Sequence, residues 1–369
     1  MTTSVRAACA CGSFNSQFDI PNSFLPIDRA ICLCNSDRRL TGTCGASYVR
    51  IADQIIDPSK YNFTAYKSRK EWNHYFCSTC GAQVFVNRVE DGLCILATGL
   101  LERTEGIVNW NGCKWVEDTL DGGISVWLND IVDADGTKRK LGRWRLNDKG
   151  GELVPADSFK TLPPQEKEAG EKLEAQCHCG GVKFYVTRPN HASKEARSPF
   201  PDLMIPYHLN SSANPENKTW WLRDNDTKYL AGTCACTSCR LALGSEIQTW
   251  AFIPRCNILQ EDGLPLDFKL GTLKSYESSK EVWREFCGVC GATVFWHCAW
   301  RPDLIDVSIG LFDPHEGARV ERWLDWWTGR VSFSEMAISK SLIASLEEGL
   351  KNWKGGAQEE LSLEGKGKV

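Results

Sequence analysis

The stretch Cys234-Ala-Cys-Thr-Ser-Cys-Arg240 places three thiols within six residues. A Cys-x-Cys pair, Cys177 and Cys179, precedes it, and a Cys-x-x-Cys-Gly stretch, Cys287 to Gly291, follows it. The seven thiols divide naturally into four plus three. Four thiolates close the tetrahedral shell of a structural zinc ion, whereas three leave one position for water or substrate, as in catalytic sites. This division predicts one closed and one open zinc site.

Length, charge and cysteine usage limit the class of protein. The 369 residues suffice for two domains of ordinary size. The net charge of −4 and the lack of a basic tail make nucleic acid and acidic membranes unexpected partners. The N-terminus has no apolar signal region, and no apolar run approaches the roughly 18 residues of a membrane-spanning helix. We therefore expect a soluble, cytoplasmic protein whose 18 cysteines serve mainly as metal ligands rather than disulfides.

The cysteine pattern occurs twice along the chain, which indicates a tandem duplication. At an offset of 210 residues, Tyr66, Ser68, Lys70 and Glu71 correspond to Tyr276, Ser278, Lys280 and Glu281. We predict an N-terminal zinc domain over 1–150, a polar linker over 151–174, a C-terminal zinc domain over 175–335, and a helix with a tail over 336–369. The second copy carries an insertion of about 188–221, read from its prolines as a surface excursion.

The regular elements are predicted to be mainly β. Short apolar or alternating runs bounded by Gly, Asn and Asp are typical of strands, and they occur at 84–86, 93–96, 124–128, 249–253 and 304–309. Leu342, Leu346 and Leu350 repeat every four residues and predict a C-terminal helix that stops near Gly355-Gly356. The final residues, Gly365-Lys-Gly-Lys-Val369, are expected to be disordered.

Pairing of distant cysteine knuckles gives the predicted metal ligands. A Cys-x-Cys and a Cys-x-x-Cys turn can each direct two sulfurs to one ion, and pairing them holds two β-segments together. The predicted closed sites are Cys177, Cys179, Cys287 and Cys290 in the second copy, and Cys9, Cys11, Cys77 and Cys80 in the first. The predicted open, catalytic site is Cys234, Cys236 and Cys239.

The first copy departs from this pattern at one ligand position. Cys32 and Cys34 are present, but Asp37 stands where Cys239 stands in the second copy. Aspartate can ligate zinc, so the site is either a two-sulfur, one-oxygen site or empty, and Cys44 is a possible substitute ligand. We expect an impaired first site and chemistry in the second copy.

Other residues have ordinary structural interpretations. The cysteines outside the repeat, Cys94, Cys113, Cys256 and Cys298, are expected to be core or incidental residues. His178, His208 and His297 are weak candidates for acid–base work. The tryptophans Trp323, Trp326 and Trp327 are expected to pack in the core, with a pocket wall as the alternative.

With these clusters in view, the sequence resembles the glutathione-dependent formaldehyde-activating enzyme family, also called the centromere-protein-V-like domain family. The shared pattern is Cys-x-Cys-Gly, Cys-x-Cys-x-x-Cys-Arg and Phe-Cys-x-x-Cys-Gly, complete in the second copy and broken in the first only at Asp37. The resemblance implies a β-tent fold, a catalytic three-cysteine zinc, and carbon–sulfur lyase-type handling of a glutathione adduct. The long insertion suggests a different, larger substrate.

Two functions follow as alternatives. The first is a zinc enzyme acting on a small-molecule substrate, a thiol adduct or a carbonyl-containing metabolite, with glutathione as a possible co-substrate. In this hypothesis the insertion shapes specificity through Trp220, Trp221 and Tyr207, with His208 as a proton carrier; the alternative is a solvated loop. The second function is a non-catalytic tandem zinc scaffold. An open ligand position inside a pocket would favour the enzyme, and a flat apolar patch would favour the scaffold.

Overall fold

The computed structural model describes residues 1–51, 56–133, 135–159, 172–201, 203–206 and 214–353. In the first half, the described strands and helix are β1 (Thr2–Ala8), β2 (Asn15–Pro21), β3 (Ile27–Cys32), α1 (Asn35–Thr41), β4 (Tyr48–Val49), β5 (Phe63–Arg69), β6 (Trp72–Cys77), β7 (Gln83–Arg88), β8 (Cys94–Ala97), β9 (Val108–Lys114), β10 (Asp130–Val132), β11 (Lys138–Lys140) and β12 (Gly142–Trp144).

The second half repeats this order with additions. Its described elements are β13 (Lys172–Gln176), β14 (Lys183–Thr187), β15 (Leu222–Arg223), β16 (Lys228–Cys234), α2 (Thr237–Leu243), β17 (Gln248–Pro254), β18 (Ile258–Leu259), β19 (Leu273–Ser279), β20 (Val282–Cys287), β21 (Thr293–Cys298), β22 (Leu304–Ser308), β23 (Leu324–Trp326) and α3 (Lys340–Asn352). The prediction of a mainly β chain with a C-terminal helix is confirmed.

The two copies share one sheet topology. The first copy has a five-stranded sheet in the order β4-β8-β7-β6-β5, and the second has the matching order β17-β22-β21-β20-β19. The first knuckle of each copy connects an antiparallel hairpin, β1 with β2 and β13 with β14. The strand that leads to the open-site cysteines, β3 or β16, has a parallel neighbour, β9 or β23. Because the strands match, the cysteines they carry reach equivalent places.

Alternation along the strands places the core. In β2, Phe18 and Ile20 are buried while the residues between and beside them are exposed or half-buried, as a period of two requires. The buried apolar residues of both copies join into one continuous hydrophobic cluster. The two copies therefore share one hydrophobic core and do not form two separate ones.

Reciprocal contacts join the copies, as across a two-fold axis. The amide N–H of Gly99 donates to the carbonyl of Gly244 at 3.0 Å, and that of Gly310 donates to the carbonyl of Gly42 at 3.1 Å. Gly42 and Gly244 end α1 and α2 with φ of 86° and 77°, where a side chain is strained. An added Cβ would also lie 2.1 Å from the Thr293 carbonyl oxygen or 2.4 Å from that of Gln83. Glycine is thus required twice, once on each side.

The C-terminal helix packs on the first copy although it follows the second in sequence. The Ser345 hydroxyl donates to the carbonyl of Asp130, and Gly349 lies directly against the backbone of Trp127. Leu342, Leu346 and Leu350 are buried, as the four-residue repeat predicts. The predicted stop at Gly355-Gly356 and the predicted tail lie outside the described residues.

Two predictions are wrong in detail. The predicted strand at 124–128 begins in a 3₁₀ helix, Gly123–Val126, because Gly122 and Gly123 both have positive φ and turn the chain immediately before the apolar run. The described parts of the insertion contain no strand, as predicted, but they are only partly at the surface. Trp221 is fully buried and donates from Nε1 to the carbonyl of Ser193, and Leu203 is also buried. None of the described helices has the length and apolarity needed to cross a bilayer.

Candidate metal centres and their cavities

Two groups of four thiols converge between distant segments, one in each copy. In the groups of Cys9, Cys11, Cys77 and Cys80, and of Cys177, Cys179, Cys287 and Cys290, all ligand sulfurs lie within 4.8 Å of one another. Neighbouring sulfurs are 3.5 to 3.6 Å apart. A tetrahedral shell with the usual zinc–sulfur bond length would place them about 3.8 Å apart. Donor set and spacing therefore fit zinc in both groups.

The three-cysteine group is built by a strand, a turn and a helix. Cys234 ends β16, Cys236 precedes α2, and Cys239 lies in the first turn of α2. The Cys236 sulfur caps the helix by accepting the amide N–H of Cys239 at 3.3 Å. The three sulfurs lie within 4.8 Å of one another and all three residues are buried. A buried set of three thiols with this spacing also fits zinc, with one ligand fewer than the four-thiol groups.

Proton sharing among these thiols favours a thiolate. Hydrogen bonds from Cys234 and then Cys239 hold the pKa of the Cys236 thiol well below its usual value. The same sharing with Cys236 is the largest cause that raises the pKa of Cys234. A thiolate is the form of cysteine that binds metal, so this arrangement suits a metal ligand.

Arg284 is the charged side chain beside this group. Its Nη2 donates to the Ser238 hydroxyl at 2.9 Å and lies 3.5 Å from the Cys239 sulfur. Burial acts to lower its pKa, but the charges of Cys239 and Cys236 outweigh burial and raise it. Its Nε and Nη1 have no hydrogen-bond partner among the described residues, and the residue is buried, with only 3% of its surface exposed. A buried cation with two unpaired N–H donors suits the binding of an anion or of a ligand oxygen.

The three thiols and Arg284 lie on the wall of a cavity of about 560 Å³, which we call the second cavity. Its volume lies in the range of small-molecule sites. The other walls are largely aromatic and apolar: Leu203, Leu241, Trp250, Phe252, Tyr276, Val282, Trp296, Trp300, Phe333 and Met336. Polar lining residues include Asp306, which pairs with buried Arg301.

Each open site lies against the other copy. Ala10, from the first knuckle of the first copy, lines the second cavity. In the reciprocal position, His178 from the second copy hydrogen-bonds the Ser36 hydroxyl and the Tyr66 hydroxyl, both at 2.8 Å. Ser36 belongs to α1, beside the first-copy site. The inter-copy interface therefore forms part of both sites.

The first-copy group consists of Cys32, Cys34 and Asp37, whose ligand atoms also lie within 4.8 Å of one another. Cys34 caps α1 by accepting the amide N–H of Asp37 at 3.4 Å, as Cys236 does in α2. Cys44 is not part of this group. Its sulfur contacts the Ala318 carbonyl at 3.4 Å and the Thr249 hydroxyl at 3.3 Å, so the prediction of Cys44 as a substitute ligand is wrong.

The remaining described candidates do not line the second cavity. His297 hydrogen-bonds Glu285 at 2.9 Å and stacks on Phe268, which is a structural role. Trp220 packs on the ring of Phe252 and, like Trp221, does not line the cavity. Within the described insertion, only Leu203 lines it. Tyr207 and His208 lie outside the described residues. Trp323 and Trp326 are buried core residues, and Trp327 is half-buried.

Sequence reasoning missed Arg284 and the aromatic walls. The signal for Arg284 is an arginine within β20, three residues before Cys287, where the first copy has His74. The sequence-based prediction also missed one aromatic residue with a strained backbone at each cavity. Trp115 and Phe333 have φ of 59° and 55° and follow the residues that bridge to Cys32 and Cys234. Left-handed backbone at a bulky residue has no sequence signature, and it occurs most often at functional sites.

Comparison with known proteins identifies the family. The model of the glutathione-dependent formaldehyde-activating enzyme family matches residues 4–116 and 223–330, more than half of the chain in two regions. The chain belongs to this family and contains it as two tandem copies. A solved structure of a Rhodobacter sphaeroides protein matches with 16% identity and a TM-score of 0.23, covering 42% of this chain and 99% of that one. The search of curated proteins found no match.

Proposed function

We propose that the second copy is a zinc-dependent enzyme that acts at a carbon–sulfur bond in the adduct of a thiol, such as glutathione, with a small carbonyl compound. The supporting observation is the convergence of Cys234, Cys236 and Cys239 with Arg284 on the wall of one cavity. Zinc held by three thiolates offers one further coordination position and polarises the oxygen or sulfur atom bound there.

The chain's own residues supply binding and electrostatics. The Arg284 guanidinium lines the cavity and can donate to an oxygen of the adduct, in a buried place where such bonds are strong. When a hemithioacetal breaks, the electrons of the carbon–sulfur bond leave with sulfur and the hydroxyl proton ends on that sulfur, giving a thiol and a carbonyl. Arg284 is placed to stabilise the oxygen on which negative charge develops.

The cavity walls favour an enzyme over a scaffold. A scaffold would present a closed ligand shell or a flat apolar patch, whereas these thiols line a concave space. Trp250, Phe252 and Trp296 give this space apolar walls, which suit the carbon skeleton of a small substrate. The first copy, with Asp37 at the third ligand position, is proposed to be impaired for the same reaction.

The test is a Cys239→Ser variant of the full chain. We expect zinc content to fall by one ion per chain and turnover of glutathione–carbonyl adducts to be lost, while the two four-thiol groups keep the fold. Cys256→Ser, an exposed cysteine outside the clusters, is the matched control. Normal turnover in a folded Cys239→Ser protein that lacks this zinc would refute the proposal. Loss of zinc with no turnover of any adduct even in the parent chain would favour the scaffold.

A further inference from the structure

The first-copy group faces a cavity of its own, of about 460 Å³, which we call the first cavity. Its lining is far more charged than that of the second cavity. Five cationic side chains and two carboxylates line it among the described residues: Arg29, Arg50, Arg69, Lys114, Lys149, Asp37 and Asp148. The formal charge of this lining is therefore +3, against zero for Arg284 with Asp306 in the second cavity.

This charge does not depend on metal at Cys32, Cys34 and Asp37. A divalent ion held by two thiolates and one carboxylate carries a net charge of −1, which is the charge of Asp37 alone. The lining keeps its excess of three positive charges in either state. Such an excess inside a concave, low-dielectric space concentrates anions.

Three of the five cationic side chains occupy positions that are neutral in the other copy. At the offset of 202 residues that aligns the open-site cysteines, Arg29 corresponds to Ala231 and Arg50 to Phe252. At the offset of 210, Arg69 corresponds to Ser279. Phe252 and Ser279 line the second cavity. The first cavity therefore has cationic side chains at positions where the second cavity has uncharged ones. The difference is local to the site and is not a feature of the fold.

Three polar atoms of the first cavity also lack hydrogen-bond partners among the described residues. His74 is 6% exposed, and its Nδ1 makes no hydrogen bond to any described residue. The enclosed hydroxyl of Tyr48 is likewise unsatisfied within the described chain, as is Nε of Arg29. All three side chains line the cavity. Enclosed polar groups without partners are costly unless a ligand or water bonds them.

We propose that the first cavity binds a small organic polyanion with at least two acidic groups, carboxylate or phosphate, and that this site is separate from the chemistry of the second copy. Arginine guanidinium groups bind carboxylate and phosphate oxygens in paired, charge-assisted hydrogen bonds. The Tyr48 hydroxyl and the His74 ring complete the shell with neutral hydrogen bonds. Trp72 and Trp115 provide flat walls for the carbon skeleton.

The test is calorimetric titration of the zinc-loaded full chain with tricarballylate, which carries three carboxylates, and with inorganic phosphate. Acetate at equal ionic strength is the monoanion control. We expect saturable binding of one or both polyanions, a rise in melting temperature, and weaker binding as sodium chloride increases. Tighter binding of tricarballylate would identify a carboxylate ligand, and tighter binding of phosphate a phosphorylated one.

Variants locate the binding. Arg29→Gln and Arg69→Gln should each weaken the binding about tenfold or more, since each removes a hydrogen bond between charged groups. Arg103→Gln, an exposed arginine of the same copy outside the lining, should not. Arg69 is exposed, so its variant remains informative if Arg29→Gln does not fold. Binding no stronger than that of acetate, or unchanged in both variants, would overturn the proposal. Because the readout is binding, its failure is independent of turnover in the second copy.

Discussion

Removing the charge of Arg284 should weaken zinc binding at the three-cysteine group. Three thiolates on one Zn²⁺ carry a net charge of −1, which the buried guanidinium neutralises. At the 3.5 Å between its Nη2 and the Cys239 sulfur, a full unit-charge pair is worth about 5 kcal/mol at an effective dielectric constant of 20. Because the guanidinium charge is spread over three nitrogens, the expected loss is nearer the about 1.5–3 kcal/mol of a hydrogen bond to a charged group.

The perturbation is Arg284→Met, which keeps much of the side-chain volume and removes the charge. A loss of that size lowers zinc affinity about 10- to 150-fold. The assay is zinc content per chain against a series of buffered free-zinc concentrations, with turnover of a glutathione–carbonyl adduct measured alongside. Turnover at saturating zinc should still fall about 100-fold or more, since a preorganised donor is lost from the reacting oxygen.

His74→Met is the matched control, because His74 occupies the equivalent strand position in the first copy. It should leave zinc binding and turnover in the second copy unchanged. Arg284→Lys tests charge against geometry: it should restore part of the zinc affinity but little of the turnover, since a single ammonium nitrogen does not reproduce the planar, spaced donors of the guanidinium. A folded Arg284→Met protein with the parent zinc affinity and turnover would show that the electrostatic reasoning is wrong.

Three further predictions follow from the same structure. Cys287→Ala removes a fully buried ligand of a four-thiol group and should unfold the second copy or abolish soluble expression; a folded variant with the parent zinc content would contradict the assignment. Asp37→Ala should leave turnover almost unchanged, and a large loss with the fold intact would place the chemistry in the first copy. Burial lowers the pKa of His74 to about 4, so the unfolded chain binds its proton first as the pH falls. Stability from His74 is therefore full above its unfolded pKa and is lost toward pH 4, by about 2 kcal/mol between pH 7 and 5. Denaturant titrations of parent and His74→Gln at both pH values test this; an equal loss in the two proteins would show that another group titrates.

Much of the fold is readable from the cysteines because metal ligands impose spacing. A knuckle needs two sulfurs at fixed separation, and the doubled pattern reveals both the duplication and the strands that carry it. Period-two burial and the leucines of α3 then predict strands and helix. The run at 124–128 was misleading because a buried 3₁₀ helix and a buried strand are equally apolar, and only the paired glycines before it mark the turn.

The cavity walls were not predictable in the same way. Trp250, Tyr276 and Trp296 come from three strands, and their convergence depends on register across the sheet, which no local pattern encodes. The prediction for the insertion was incomplete for a related reason. Its prolines suggest loops, but Trp221 and Leu203 fill space in the core of the neighbouring sheet. Residues contributed across the interface, such as Ala10 and His178, were hidden because the packing of the copies has no sequence signal.

The reciprocal glycine contacts between α1, α2 and the other copy have a genetic consequence. In a homodimer with this geometry, one gene would encode both halves, and every substitution would change both cavities at once. Here the halves are fused, so each position is encoded separately. The first copy can therefore carry Asp37 where the second carries Cys239, and Ala10 where the second carries His178. Fusion thereby releases the two cavities from sharing one sequence, and each can specialise while the shared core keeps both in place.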